Sequence, residues 1–392
     1  MEEALDRLRG AVPVIPPAGA VIERDGPIVR THYGTHGEAA HGPLPEVDLD
    51  ALVARQAEAF ARHNEPAVWP VYGTDAGLAG RLRAAGFTAE PERAVLGCPI
   101  GTDTIRLPRA GHHWPWLRRV AGLAAESGPH RRPFPEFLAD AAHLRQSSEV
   151  ILDGDRAAWL EAIGDVMVVG GVTGPGFAAT LVAQDWRVAG PHRGVRFLLA
   201  EATGALCEAF EAAGMSVLTT VTRYHLPSPR EPARTRPVRV LSSEPEHDEI
   251  WTRFAEQFAF RPHTRRFPGI AEPAGSATWH VGDLDGTRLD AMDLIVHKGL
   301  RACVAPGEQL YWLDWQHVGY RFDPARVDGA GPRRPGAVFP DGDYHLHLTH
   351  DLRLGTFGHP WEATVCVFGD LLTRIDAELT AALGEPIRRS EG

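Results

Sequence analysis

Three short segments hold the residues best equipped for chemistry. They are YWLDWQHVGYRFDP (Tyr311 to Pro324), FPDGDYHLHLTHD (Phe339 to Asp351) and FGHPWEATVCVFGD (Phe357 to Asp370). Each mixes carboxylates and imidazoles, which move protons near neutral pH, with indole and phenol rings, which wall a recess. Side chains alternate faces along a strand. On that pattern Asp314, Gln316 and Val318 share one side, and Trp315, His317 and Gly319 the other. Asp343, His345 and His347 likewise stand opposite Tyr344, Leu346 and Leu348. Gly358–His359–Pro360–Trp361–Glu362 reads as a turn entering the apolar strand ATVCVFG.

Three uses compete for this cluster. In the first, Trp315, Tyr320, Tyr344 and Trp361 wall a pocket, with Gln316 and Asp343 as further substrate contacts. The acid–base candidates there are Asp314, His317, His359 and Glu362. In the second, His317, Asp343, His345, His347, His359 and Glu362 ligate a metal. No HExxH or comparable fixed spacing supports that, so no metal ligand is assigned. In the third, the cluster is structural. PDGD is a hairpin turn whose Asp side chains bond their own backbone, and the His and Trp residues are satisfied core polars.

A second feature is VVGGVTGPGFAATLVAQDWRVAG (Val168 to Gly190), which reads as strand, glycine turn and helix. A helix N-terminus presents unpaired N–H groups and a partial positive charge, and so attracts phosphate. Gly174 and Gly176 let a diphosphate approach the backbone, with Phe177 and Ala178 opening the helix. The same glycines also suit a tight connection that has no room for a Cβ.

The elements that position these features fall into three regions. The first runs to about Gly101. It contains the helix ALVARQAEAFARHN, with Leu52, Ala59 and Phe60 on one face, the strand AVWPVYGTD, and the helix AGLAGRLRAAGF, with Gly86 as its left-handed cap. The second, Thr102 to Leu226, ends in β-α-β-α-β: GDVMVVGG, FAATLVAQDWRVA, GVRFLLAEA, GALCEAFEAAG closed by Gly214, and SVLTTVTRYHL. PSPREPARTRP (Pro227 to Pro237) is a linker of proline and charge. From Val238 a separate α+β domain follows, opened by the helix HDEIWTRFAEQFAF. Its closing helix carries Leu371, Leu372, Ile375, Leu379 and Leu383 on one stripe. No internal repeat is evident, and the tail IRRSEG is expected to fray.

With 392 residues the chain exceeds one compact core. Its formal charge of −11 provides no general basic field for a nucleic-acid backbone, leaving only a local patch such as His130–Arg131–Arg132. Cys98, Cys207, Cys303 and Cys366 are scattered without a CxxC, against a thiolate metal site or a disulfide scaffold. No run approaches a membrane span and MEEALDRLRG lacks an apolar leader, so a cytoplasmic protein is expected.

The segment from roughly Arg30 to Leu226 resembles the Gcn5-related N-acetyltransferase (GNAT) superfamily. The strings that carry the likeness are VYGTDAGLAGRLRAAGFTAEPE in a partial N-terminal lobe and LLAEATGALCEAFEAAGMSVLTTVTRYHL in the closing half. The resemblance implies a mixed sheet with flanking helices, a bound acetyl-CoA or acyl-CoA, and transfer of the acyl group to an amine of a small molecule or peptide. It places Thr173, Gly174, Gly176, Phe177 and Ala178 at the cofactor diphosphate. It makes Glu201 the nearest base for the amine, or else an exposed strand-end carboxylate.

Several residues depart from the superfamily pattern. Thr173 stands where Arg or Gln is usual, Pro175 removes an N–H, and the loop after Gly171 is short. Phe210 replaces a tyrosine that would protonate the leaving thiolate. An acyl donor on charged tRNA is disfavoured by the acidic charge.

The strings LDWQH, PDGDY and GHPWE, with WTRFAEQFAFRP, resemble a bacterial domain family of unknown function. The sequence reading is therefore a GNAT-like N-acyltransferase followed by an α+β module that helps hold the acceptor. Its rivals are a non-catalytic acetyltransferase relative that sequesters a ligand in the C-terminal module, and an enzyme whose chemistry lies wholly there.

Overall fold

Two Asp-Gly pairs, Asp25–Gly26 and Asp153–Gly154, close two-residue hairpins with the glycine at φ +58° and +61°. Two Ala-Ala-Gly caps, at Gly86 (φ +91°) and Gly214 (φ +102°), end two helices. The spacing from hairpin glycine to cap glycine is the same in both cases, and it marks one arrangement used twice. The computed structural model describes residues 1–11, 17–44, 48–75, 77–100, 119–120, 123, 148–183, 194–241 and 245–390. It divides into two units, Met1–Arg236 and Pro237–Gly392.

Unit 1 begins with α1 (Glu2–Arg9). An antiparallel meander follows of β1 (Val21–Asp25), β2 (Ile28–His32) and β3 (Gly37–His41). Next come α2 (Leu49–His63), β4 (Ala67–Tyr72) parallel to β3, α3 (Leu78–Ala84), the short β5 (Thr88–Ala89) and β6 (Arg93–Pro99). The order then repeats. β7 (Ser148–Asp153), β8 (Arg156–Ile163) and β9 (Val166–Gly170) form the second meander. After it come α4 (Ala178–Val182), β10 (Phe197–Ala202) parallel to β9, α5 (Gly204–Ala212) and β11 (Ser216–Leu226).

The sheet order is β1-β2-β3-β4-β11-β6-β10-β9-β8-β7, which reads the same from both ends. The sequence reading of no internal repeat is thus corrected. The duplication lies in topology and in a few glycines, while the residues between have diverged.

The two halves exchange their last strands. β11 pairs with β4, β6 pairs with β10, and β6 and β11 pair at the centre. Each half's core is completed from the other. Tyr224 of β11 packs with Leu52, Phe60, Trp69, Leu78 and Leu82, while Leu96 and Cys98 of β6 pack with Met167, Phe177, Leu198 and Phe210. On the other face α1 lays Ala4, Leu5 and Leu8 across Val95, Val166, Val168, Leu199 and Val221. Asn64 bonds the backbone of Arg230 and Glu231, which ties part of the proline-rich segment to this unit.

Unit 2 is an antiparallel sheet of order β12-β15-β14-β16-β17-β18-β13-β19. Its elements are β12 (Val238–Leu241), α6 (Glu246–Phe258), β13 (Ser276–His280), α7 (Gly286–Cys303), β14 (Leu310–Asp314) and β15 (Gly319–Phe322). They continue with β16 (His345–Leu348), β17 (Gly355–His359), β18 (Thr364–Phe368), α8 (Asp370–Leu383) and β19 (Arg388–Ser390). Ile250, Phe254 and Phe258 of α6 meet Tyr311, Leu313, Leu346, Leu348 and Phe357 on one sheet face. The fold class is as expected: a mixed sheet with flanking helices, then a separate α+β unit.

Three local expectations are corrected. The tail pairs with β13 instead of fraying, because Arg388 is clamped between Glu272 and Glu362. PDGD is no hairpin turn: β16, which follows it, pairs with β14 and β17, and PDGD bends the long connection from β15. FAATLVAQDWRVA is helical over Ala178–Val182, and its residues from 184 onward lie outside the described set. The patch at 130–132 also lies outside it.

A buried ion pair reaches from β11 across β6 to β10. Arg223 of β11 donates from Nη1 and Nη2 to Oε2 and Oε1 of Glu201 on β10, at 2.8 and 2.9 Å. Removing one partner of such a pair leaves an uncompensated buried charge, whereas apolar replacement of both is often neutral. Arg223→Met is expected to cost about 3–5 kcal/mol in urea unfolding, and Arg223→Met with Glu201→Leu to recover most of it. A single-variant loss under about 1 kcal/mol contradicts that role.

Candidate functional site

β14 ends at Asp314 because the chain reverses. Gln316 sits at φ +65°, and the His317 N–H donates to the Asp314 carbonyl at 3.1 Å. The expected continuous strand from Tyr311 is therefore a strand, a tight turn and a second strand. Alternation would have put Asp314 and His317 on opposite faces, but the turn brings them together. His317 Nδ1 lies 3.2 Å from Asp314 Oδ1 and 3.7 Å from Asp343 Oδ2. Asp343 stands just before β16 and accepts from the Tyr344 N–H at 2.8 Å. His345, opposite Asp314 in register, brings Nε2 within 3.9 Å of the same Asp314 oxygen. Tyr320, on β15, lies tilted against Trp312 with ring centroids 5.8 Å apart.

The electrostatics follow from these contacts. The hydrogen bond to Asp314, then its charge and that of Asp343, raise the His317 pKa above 6.5. Burial raises Asp343, and the neighbouring Asp314 carboxylate adds to that shift. His317 is solvent-exposed, while His345 is buried and, among the described residues, its Nδ1 has no hydrogen-bond partner. One ligand atom each from Asp314, His317 and Asp343 lies within 4.8 Å of the others, so a small cation fits among them.

Tyr344 carries the adjoining aromatic group. Its ring meets Trp315, Trp361 and His359 at centroid distances of 5.5, 5.3 and 4.9 Å. Its hydroxyl accepts from the His263 N–H at 2.9 Å. Trp361 is 41% exposed and offers an open indole face. His359 is fully buried, its Nδ1 accepting from the Glu362 N–H at 3.1 Å. Glu362 is committed to Arg388 at 2.5 and 3.0 Å and to Thr364 at 2.9 Å. Burial raises its pKa, yet the Arg388 hydrogen bonds win and lower it. His359 and Glu362 thus support the site's shape, while Asp314 and Asp343 are half-buried beside the exposed His317. Sequence reasoning missed Arg388 and His263, which announce themselves only through tertiary contacts.

Unit 1 holds the other candidates. Glu201 is neither a free base nor an exposed strand end: it is 3% exposed and doubly bonded to Arg223. With Arg9, Glu38 and Tyr72 these two line a cavity of about 40 Å³ at the fork of β3 and β4, space for waters only. The resemblance implies a coenzyme diphosphate at Thr173–Ala178, and the turn does not fit one. The Ala157 N–H donates to the Thr173 hydroxyl oxygen at 2.6 Å. The N–H groups of Thr173, Gly174, Phe177 and Ala178 donate to Ala157, Val172, Gly174 and Pro175 carbonyls, and Pro175 has none. A cradle needs several free donors. Phe177, Ala178 and Phe210 are buried in the core, and Gly174 and Gly176 are exposed.

Comparison with known proteins separates the two units. Residues 241–373 match the family described as Protein of unknown function (DUF2716). The Uncharacterized protein YxiI of Bacillus subtilis (strain 168) is 30% identical over 148 residues, which span 34% of this chain and 90% of that one. Through unit 2 the chain belongs to the DUF2716 family. A GCN5-related N-acetyltransferase from Kribbella flavida is 17% identical, covering 58% of this chain and 95% of that one, with a TM-score of 0.42. Another, from Sphaerobacter thermophilus, is 17% identical over 57% and 84%, with a TM-score of 0.35. The DUF2716 match takes in Asp314, His317, Asp343 and Trp361.

In ring NMR of the full chain His317 is expected to titrate above 6.5, with Asp314→Asn returning it toward that value. A midpoint at or below 6.5 in the unaltered chain contradicts the contact geometry.

Proposed function

We propose that unit 2 binds the cationic amine of a small molecule or peptide at Asp314, Asp343 and His317. The observation that carries this reading is the convergence of two carboxylates on one exposed imidazole, 3.2 and 3.7 Å from its Nδ1. Two carboxylates outweigh one imidazolium, so the group favours a cation. The Trp315 and Trp361 rings beside Tyr344 add faces that attract cations. YxiI, which the match covers over 90% of its length, supports a function belonging to this unit by itself. His317 could also take a proton from a bound amine, since its pKa is shifted toward the working range.

Titration of the full chain with spermidine and with a lysine amide tests the proposal. Saturable binding is expected, weakened at least tenfold by Asp314→Asn with Asp343→Asn. The pH dependence has a definite sign. Below its raised pKa His317 is positive and opposes the cation, and above it the ring is neutral. Affinity should therefore rise with pH through a midpoint above 6.5. No binding, or binding unchanged in the double variant, sinks the proposal.

Acyl transfer to an amine by unit 1 alone is the second reading, which the fork in its sheet supports. β9 and β10 pair in parallel only from Val166 to Val169, and the exposed glycines lie beyond that end. Because the N–H groups of Thr173, Gly174, Phe177 and Ala178 are spent within unit 1's own turn and hairpin, coenzyme A is expected to give no heat at about millimolar concentration. A saturable isotherm would restore the acyltransferase reading.

A further inference from the structure

The hairpin of β1 and β2 carries a second group of side chains, outside the site described above. Glu23 lies opposite Arg30 in register, and His32 follows two residues later on the same face. α2 packs on that face and ends at His63. Asn64, at φ +55°, turns the chain so that Glu65 enters the core at 3% exposure. Four residues remote in sequence thus meet under one helix end.

Their chemistry is directional. His32 Nδ1 is 2.6 Å from Glu65 Oε2, and the other oxygen of Glu65 accepts from the Gly34 N–H at 2.5 Å. The carboxylate fixes the ring proton on Nδ1 and leaves Nε2 as a lone-pair donor. That Nε2 is buried and, among the described residues, has no hydrogen-bond partner; His32 as a whole is 2% exposed. It points at Glu23, 3.6 Å from Oε2. His63 Nε2 lies 3.8 Å from Glu23 Oε1, and the two imidazoles stack at 4.0 Å. One ligand atom from each of Glu23, His32 and His63 lies within 4.8 Å of the others.

Buried polar atoms are almost always paired, so an orphaned imidazole nitrogen facing a carboxylate and a second imidazole needs an explanation. We propose that Glu23, His32 and His63 bind one divalent transition-metal ion, with Glu65 as the carboxylate that orients His32. Ligands of this type hold such an ion at about 2.0–2.2 Å, so tetrahedral donor atoms stand about 3.3–3.5 Å apart. His63 Nε2 is 3.8 Å from Glu23 Oε1 and the three ligand atoms lie within 4.8 Å of one another, so side-chain shifts of about 1 Å close the set.

The donor set, two imidazoles and a carboxylate, suits zinc and its first-row neighbours over calcium or magnesium. Arg30 does not block the site. It donates to Glu23 Oε2 at 2.8 Å and to Gln56 at 2.6 Å, leaving Glu23 Oε1 for the ion. Glu23, Glu65 and Asp25 supply the balancing negative charge. His63 is partly open to solvent, so the fourth position is left for water or a ligand.

The test is a zinc titration of the full, tag-free chain after chelator treatment, in a His317→Ala background that removes the unit 2 group. One equivalent is expected. His63→Ala, at a solvent-facing position, should weaken binding at least tenfold without changing the metal-free melting temperature, and Glu23→Gln, which also loosens the Arg30 pair, should weaken it at least tenfold. Glu65→Gln should weaken it about 10–100-fold, as for other carboxylates behind a ligating imidazole. Cobalt substituted for zinc should show ligand-field bands that disappear in His63→Ala. No bound zinc at micromolar metal, or binding in His63→Ala and Glu23→Gln as tight as in the parent chain, overturns the proposal.

Discussion

The reversal of the chain at Gln316 decides what unit 2 can offer. β14 would otherwise run on, and His317 would stand across the sheet from Asp314. With Gln316 in the left-handed region the imidazole folds back over Asp314, and Asp343 arrives from the neighbouring strand. A non-glycine residue pays for that backbone conformation, and such positions concentrate where function over-determines them. Around the turn, Tyr344 anchors the aromatic group by bonding His263. Arg388, held by Glu272 and Glu362, fixes the strand that closes the sheet edge.

Unit 1 presents the complementary case. Its reciprocal strand exchange makes one eleven-stranded sheet from two halves, each completing the other's core. The Glu201–Arg223 pair spans the exchanged strand β6 from β11 to β10. A residue that reads in sequence as a base beside splayed strands is therefore spent on joining β10 to β11. The glycine turn shows the same shift: its donors bond their own loop and the β7–β8 hairpin.

The elements most visible in the sequence were those set by local periodicity. Leu52, Ala59 and Phe60 share a buried face as their spacing requires, and Gly86 and Gly214 cap their helices at positive φ. Alternation in β16 put His345 and His347 opposite Leu346 and Leu348, as register confirms. What stayed hidden depends on non-local pairing. The duplication leaves little in the residues beyond turn glycines, because a core tolerates many apolar replacements if volume is kept. The pairing of Arg388 with Glu272 and Glu362, and of His32 with Glu65, joins residues far apart in the chain, which no window of sequence reveals. The turn at Gln316 was missed for another reason: its residues carry no glycine or proline to mark it.

The central claim is that the Asp314–His317–Asp343 group is where this protein meets its ligand. A crystal structure of the full chain grown with a short alkyl diamine tests it most directly. The account predicts an ammonium within hydrogen-bond distance of both Asp314 and Asp343, with the alkyl chain along Trp315 or Trp361. A diamine seated elsewhere on the molecule, with these carboxylates bonded only to His317 and solvent, would contradict it.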